Sequence, residues 1–141
     1  MVTPENFMEQ ANYLMELASS EGDSQSEMHL RTAVSRAYYS AFHAAKRIAN
    51  TCPAPENHIA GSHMYIIRQL IDCPPASHTR QTVKSIKKIG LMLNQAKDHR
   101  THADYDLTDI FPGHTATSQL QITNKIIRFC DRVTQDIYGD S

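Results

Sequence analysis

The chain has 141 residues, a formal net charge of −1 and a pI near 6.7. That length suits one domain, residues 1–141, with its own core. The near-neutral balance excludes a uniformly basic nucleic-acid binder, although it leaves room for a local basic face, and no apolar run approaches the ~18 residues of a membrane span.

Apolar spacing predicts five helices and no strand alternation. Thr3-Pro4-Glu5 opens the first: a capping residue, proline at the first helical position, then an acid. Phe7, Ala11, Leu14 and Ala18 follow at helical spacing, and "SSEGDSQS" breaks the pattern. The second helix runs from about Ser26 to Asn50 and stops at "TCPAPEN" with its two prolines. The third, from about Glu56 to Asp72, carries Ile59, Ile66, Ile67, Leu70 and Ile71, and stops at "CPPAS". The fourth, from about Ser77 to Ala103, carries Ile86, Ile89, Leu93 and Ala96. "DYDLTDIFPGHTAT" then reads as a loop rich in turn and capping residues. The fifth, from about Thr117 to Tyr138, carries Leu120, Ile127, Cys130 and Ile137. Short breaks between long helices predict an all-α, up-and-down bundle.

Three cysteines, Cys52, Cys73 and Cys130, are odd in number and widely spaced. They read as reduced thiols of a cytoplasmic protein rather than a disulfide frame or zinc site. "MVTPENFMEQ" has no basic-then-apolar pattern and does not read as a secretory signal. "GSHM" at 61–64 lies within the chain and is treated as native sequence.

The second predicted helix has two informative sides. At 100° per residue, Leu30, Val34, Ala37, Ala41, Ala44, Ala45 and Ile48 form a core stripe of mostly small residues. Such a stripe allows close helix approach. Tyr38 and Phe42 flank it on one side; Arg36, Ser40, His43 and Arg47 form a polar ridge on the other. Two readings of that ridge stay open: bundle-edge residues whose stems lie on apolar surface, or the lining of an anion site or dimer cleft.

Two segments carry a family resemblance. "SRAYYSAFHAAKRI" (35–48) resembles the second-helix signature of HEPN domains. "LNQAKDHRTHADYDL" (93–107) resembles the fourth-helix end in one bacterial and archaeal branch, with Arg100, Ala103, Asp104, Tyr105 and Asp106 in the matching order. The resemblance implies a four-helix up-and-down core with one additional helix. It also implies homodimers or pairing with a nucleotidyltransferase. The activity it implies is a ribonuclease that needs no metal or other cofactor, in toxin–antitoxin, phage-defence or RNA-processing systems. In a related branch a tyrosine near this motif is nucleotidylated, and Tyr105 stands in that neighbourhood.

The family's active motif is an Arg, four to six residues, then a His. From Arg100 that count reaches Tyr105, Asp106 or Leu107, none of them His. His99 and His102 lie too close, and the formal pattern recurs only at Arg36 and His43, on the wrong helix. A non-catalytic module that binds RNA, a nucleotide or a partner protein is therefore the competing expectation.

Metal-free RNA cleavage needs a base for the 2′-hydroxyl and a cation for the phosphoryl oxygens. Arg suits the second task and His the first. Ile86, Ile89, Leu93, Ala96, Arg100 and Ala103 share one stripe, so Arg100 continues the core-facing line. It reads either as an ion pair with Asp104 or Asp106, or as an anion-binding group beside His99, His102 and Tyr105. His99 and His102, three apart, are also spaced to share a metal with Asp104, Asp106 or Asp109; against that stands a solvated histidine pair, the preferred reading. Arg80, Lys84, Lys87 and Lys88 read as a solvated basic face or an RNA-backbone grip. His63, between Ile59 and Ile66, reads as a hydrogen-bonded inner histidine. No Gly-rich phosphate loop or nucleophile elbow is present.

Overall fold

The structure, a computed structural model, describes residues 2–20, 23–55, 61–108 and 111–139. Five helices make up a helical bundle: α1 (Pro4–Ser20), α2 (Asp23–Ala49), α3 (Ser62–Ile71), α4 (Arg80–Tyr105) and α5 (Gly113–Tyr138). Among the described residues there is no strand, and no helix is long and apolar enough to cross a membrane.

The helix ends follow from local chemistry. Thr3 and Asn6 cap α1 reciprocally: the Thr3 N–H donates to Asn6 Oδ1 at 2.8 Å, and the Asn6 N–H to Thr3 Oγ1 at 3.3 Å. Thr79 caps α4, accepting from the Thr82 N–H at 3.3 Å, so that helix begins at Arg80 rather than near Ser77. Three further predicted boundaries shift. α2 begins at Asp23, and the Ser26 hydroxyl donates back to the Ala18 carbonyl at 2.7 Å, so the break between the first two helices is shorter than its polar sequence suggests. α4 continues to Tyr105. α5 starts at Gly113: Pro112 stands at the N-cap position with its carbonyl accepting the Thr115 N–H at 3.1 Å, and burial of Phe111 and Ala116 holds that turn. The predicted start of the third helix, with Ile59, and the candidate ligand Asp109 lie outside the described residues.

α2 is the central element, packed against all four other helices. Its predicted stripe is buried at Val34, Ala37, Ala41, Ala45 and Ile48, and its flank residues Tyr38 and Phe42 are buried as well. A helix surrounded on several sides buries more than one stripe. The main core joins Tyr38, Phe42, Ile48, Ile67, Leu70, Ile86, Ile89, Leu93, Ile126 and Val133. α1 covers a second cluster built on Met8, Ala11, Ala33 and Ala37.

Two contacts fix the elements that carry the site. α3 approaches α4 at Gly90, where an added Cβ would meet Ile71 Cγ1 at 2.8 Å and Leu70 Cβ at 2.9 Å. Lys87 Nζ donates to the Ile71 carbonyl at 2.7 Å, satisfying the end of α3. Buried Arg31 of α2 donates to the carbonyls of Ala103 (2.9 Å), Asp106 (3.0 Å) and His102 (3.3 Å). One guanidinium thus closes the C-terminus of α4 where free carbonyls and the helix dipole favour a cation. Glu27 pairs with Arg31 at 3.7 Å and accepts the Phe111 N–H at 2.7 Å, and the Phe111 ring lies over the guanidinium.

Candidate functional site

Arg100 sits near the end of α4 with its side chain only 16% exposed. Its Nη2 donates to Tyr39 Oη at 3.0 Å. Its Nε lies 3.0 Å from Asp104 Oδ2, one helical turn on. That contact is Coulombic, since the Nε–H is not aligned on the carboxylate as a hydrogen bond. The guanidinium also lies 5.6–5.7 Å from the ring centres of Tyr38, Tyr39 and Tyr105. Three aromatic rings around one guanidinium form a cation–π cradle. Burial works against the charge of Arg100, while the Tyr39 hydrogen bond and the Asp104 carboxylate hold it in place.

His63, at the start of α3, completes the cluster. Its Nδ1 lies 2.6 Å from Tyr38 Oη, and its ring stacks on Phe42 with centroids 4.2 Å apart. The imidazole pKa is lowered below 6.5, first by burial and then by the charges of Arg100, Lys97 and His43. His63 is therefore neutral at neutral pH. Tyr38 is fully buried, and burial raises its phenol pKa, so it keeps its proton. Tyr38 joins the two functional groups: its ring carries Arg100 and its hydroxyl holds His63. With Nδ1 engaged by Tyr38, Nε2 is the nitrogen left for chemistry.

The other expected residues separate. His99 faces α5, where Nδ1 meets Gln119 Oε1 at 2.8 Å, and Gln119 in turn donates to the Ala96 carbonyl at 2.9 Å. Gln119 is fully buried and His99 half-buried, so this is a polar network at the edge of the core. His102 pairs with Asp106 at 3.3 Å and stacks on Phe111. The two histidines thus have different partners, and no group of three His, Cys, Asp or Glu side chains converges as a metal-ligand set among the described residues. Tyr105 is 70% exposed beside Arg100. Asp104 also meets the Ser35 hydroxyl, at the long distance of 3.5 Å.

The α2 ridge turns toward α1. Ser40 is buried and donates to the Pro4 carbonyl at 2.7 Å. His43 stacks on Phe7, and its pKa is lowered by burial first and then by Lys46 and Arg47. Phe7, His43, Lys46, Arg47 and Asn50 line an open pocket of about 440 Å³. Phe7 packs on Tyr39 as well, at 6.1 Å, so its ring stands between this pocket and the Arg100 cluster. Arg36 is half-buried, and its Nε has no hydrogen-bond partner among the described residues.

His63 is the residue whose place in the site sequence reasoning missed. It is an inner, hydrogen-bonded histidine as its stripe suggested, and its hydrogen bond leads straight to the Arg100 cradle. Only the adjacent polar and aromatic residues of "RAYYSAFH" hinted at such a pocket. Comparison with protein-family models, with curated proteins and with solved structures gave no match to this chain.

Proposed function

We propose that this chain is an RNA-directed domain of the HEPN family, with the up-and-down four-helix core and additional helix of that family. In this reading it is cytoplasmic and acts in toxin–antitoxin, phage-defence or RNA-processing systems as a metal-independent endoribonuclease. One observation carries the proposal: the Arg100 guanidinium and the His63 imidazole meet on Tyr38, with Tyr105 exposed at the edge. An arginine fork matches phosphate oxygens, and a neutral histidine suits proton abstraction. His63 supplies from another helix the group that the family motif places after the arginine.

In this mechanism Arg100 holds the scissile phosphate, leaning away from Asp104. His63, with its Nδ1–H donated to Tyr38 Oη, takes the proton of the 2′-hydroxyl on Nε2. The 2′-oxygen forms its bond to phosphorus and the P–O5′ bond breaks. The 5′-oxygen takes a proton from water, leaving a 2′,3′-cyclic phosphate and a 5′-hydroxyl.

A second reading is supported by the contacts Arg100 already makes. A guanidinium paired with Asp104 and hydrogen-bonded to Tyr39 suits a module that binds RNA, a nucleotide or a nucleotidyltransferase partner and cuts nothing. Labelled single-stranded RNA distinguishes the two. Under the first reading the wild-type protein yields cyclic-phosphate ends, and Arg100→Ala and His63→Ala each lower the rate by about 100-fold or more. Intact RNA that is nevertheless bound, with binding lost in Arg100→Ala, supports the second. RNA neither cut nor bound overturns both.

A further inference from the structure

The face formed by α4 and α5 carries a groove of about 560 Å³. Met92, Ile122 and Phe129 supply its apolar surface, and Lys88, Lys125, Arg128 and Arg132 its charge. No carboxylate lines it, and no carboxylate among the described residues is ion-paired to any of the four cations. Lys88 and Arg132 each lie over Phe129, at 5.4 and 5.1 Å from the ring centre. Leu91, on the exposed side of α4 beside the groove, is 60% exposed. Lys88 and Arg100 are ~120° apart around α4, so this groove is distinct from the Arg100 cluster.

Its chemistry calls for an acidic amphipathic helix. Nucleic acid fits less well, because the only aromatic ring is already covered by two cations and leaves no free platform for a base. The groove cannot pair with the same groove of a second copy, since that contact sets eight cations together.

The chain itself carries the complementary element. α1 has no Lys or Arg, and Glu5, Glu9 and Glu16 are exposed with Tyr13, which is 60% exposed. These four lie within an arc of ~80° on the side away from buried Met8 and Ala11 and partly buried Leu14. From Glu5 to Glu16 is ~17 Å of helix, against ~15 Å from Ile122 to Arg132. Within one molecule the two cannot meet. Leu120 and Ile127 are the α5 residues packed against the α1 cluster, and Ile122 and Phe129 point ~140–180° away from them.

We infer that the α4–α5 groove receives α1 of a second copy of this chain, giving a head-to-tail assembly. The carboxylates of α1 pair with Lys125, Arg128 and Arg132, and Tyr13 lies on the apolar floor. Because the two surfaces differ, each copy donates α1 to one neighbour and takes α1 from another.

Sedimentation of the full chain in low salt tests this. The expected result is growth beyond 15.9 kDa with concentration, reversed in about 0.5 M salt. Two exposed charge-reversal pairs dissect it: Arg128→Glu with Arg132→Glu, and Glu5→Lys with Glu9→Lys. Each variant alone, folded by circular dichroism, stays monomeric. Their equal mixture assembles, since one retains α1 and the other the groove, and the reversed α1 and reversed groove again carry opposite charges. A wild-type protein that stays monomeric overturns the inference. So does either variant assembling like wild type, a mixture that remains monomeric, or a groove that takes up single-stranded RNA while the protein stays monomeric.

Discussion

Tyr38 Oη and His63 Nδ1 lie 2.6 Å apart, tying a fully buried phenol of α2 to the first turn of α3. Tyr38→Phe keeps the ring beneath Arg100 and removes only this bond. The expected cost is about 1 kcal/mol in denaturant unfolding. Under the proposed ribonuclease reading the more telling readout is RNA turnover, which should fall although Arg100 and His63 are both intact. Unchanged turnover would show that Tyr38 does not position the histidine.

His63 also offers a pH test. Burial first, and then the charges of Arg100, Lys97 and, once protonated, His43, lower its pKa, so folding favours the neutral ring. Its contribution to stability is therefore fully present above pH 6.5 and declines as pH falls through 6.5 toward the lowered folded value. In Arg100→Gln one of those cations is gone, and the His63 midpoint should move up toward 6.5, followed by NMR of the ring protons. Burial still acts, so full restoration is not expected; an unmoved midpoint would mean the two groups are not coupled.

At Gly90 the α3–α4 approach leaves no room for a methyl group. Gly90→Ala should destabilise the fold by about 1–3 kcal/mol, because the clash outweighs the gain in helix propensity. Denaturant midpoints measure it. A stabilised variant would show that α3 sits farther from α4 than described.

Arg31→Met retains much of the buried stem and removes the donors that close α4 at His102, Ala103 and Asp106. Three carbonyls lose their partner, and the expected loss is about 3 kcal/mol. Hydrogen exchange should rise selectively over the last turn of α4. Uniform exchange with unchanged stability would remove Arg31 as the closing residue.

Cys52 and Cys130 are buried, and burial pushes both thiols up to about 12, with Cys73 adding to the effect at Cys52. A thiol-disulfide reagent at pH 8 should therefore label neither in the folded protein, and both once it unfolds. The Cys52 and Cys73 sulfurs are 3.9 Å apart, a contact between two thiols rather than a bond. Rapid labelling of Cys52 before unfolding would contradict its burial.

Helix number and most of the core lines could be read from spacing alone. The α4 stripe from Ile86 to Ala103 is buried as expected, with Arg100 on it, because a long helix against a core keeps one face inward throughout. α5 was harder. Its fully buried line includes Gln119 and Thr123, polar residues satisfied by the Ala96 and Ala37 carbonyls, so a search for apolar periodicity followed Leu120 and Ile127 instead. Buried polar groups look like surface until their partners are known.

The chain order by itself determined an all-helical protein and an arginine on the core side of the fourth helix, since both depend on local periodicity. It also showed that no histidine follows that arginine at the family spacing. Only the tertiary structure decided that His99 belongs to a polar network at the edge of the core, that His102 belongs to the Asp106–Phe111 corner, and that His63 comes to Arg100 across Tyr38. The His99–Gln119 and Tyr38–His63 contacts join different helices across 20 and 25 positions, and His102 meets Phe111 in the turn beyond α4; the His102–Asp106 pair alone is local, one helical turn apart. The longer-range contacts are set by how the helices pack, which spacing along one helix does not encode.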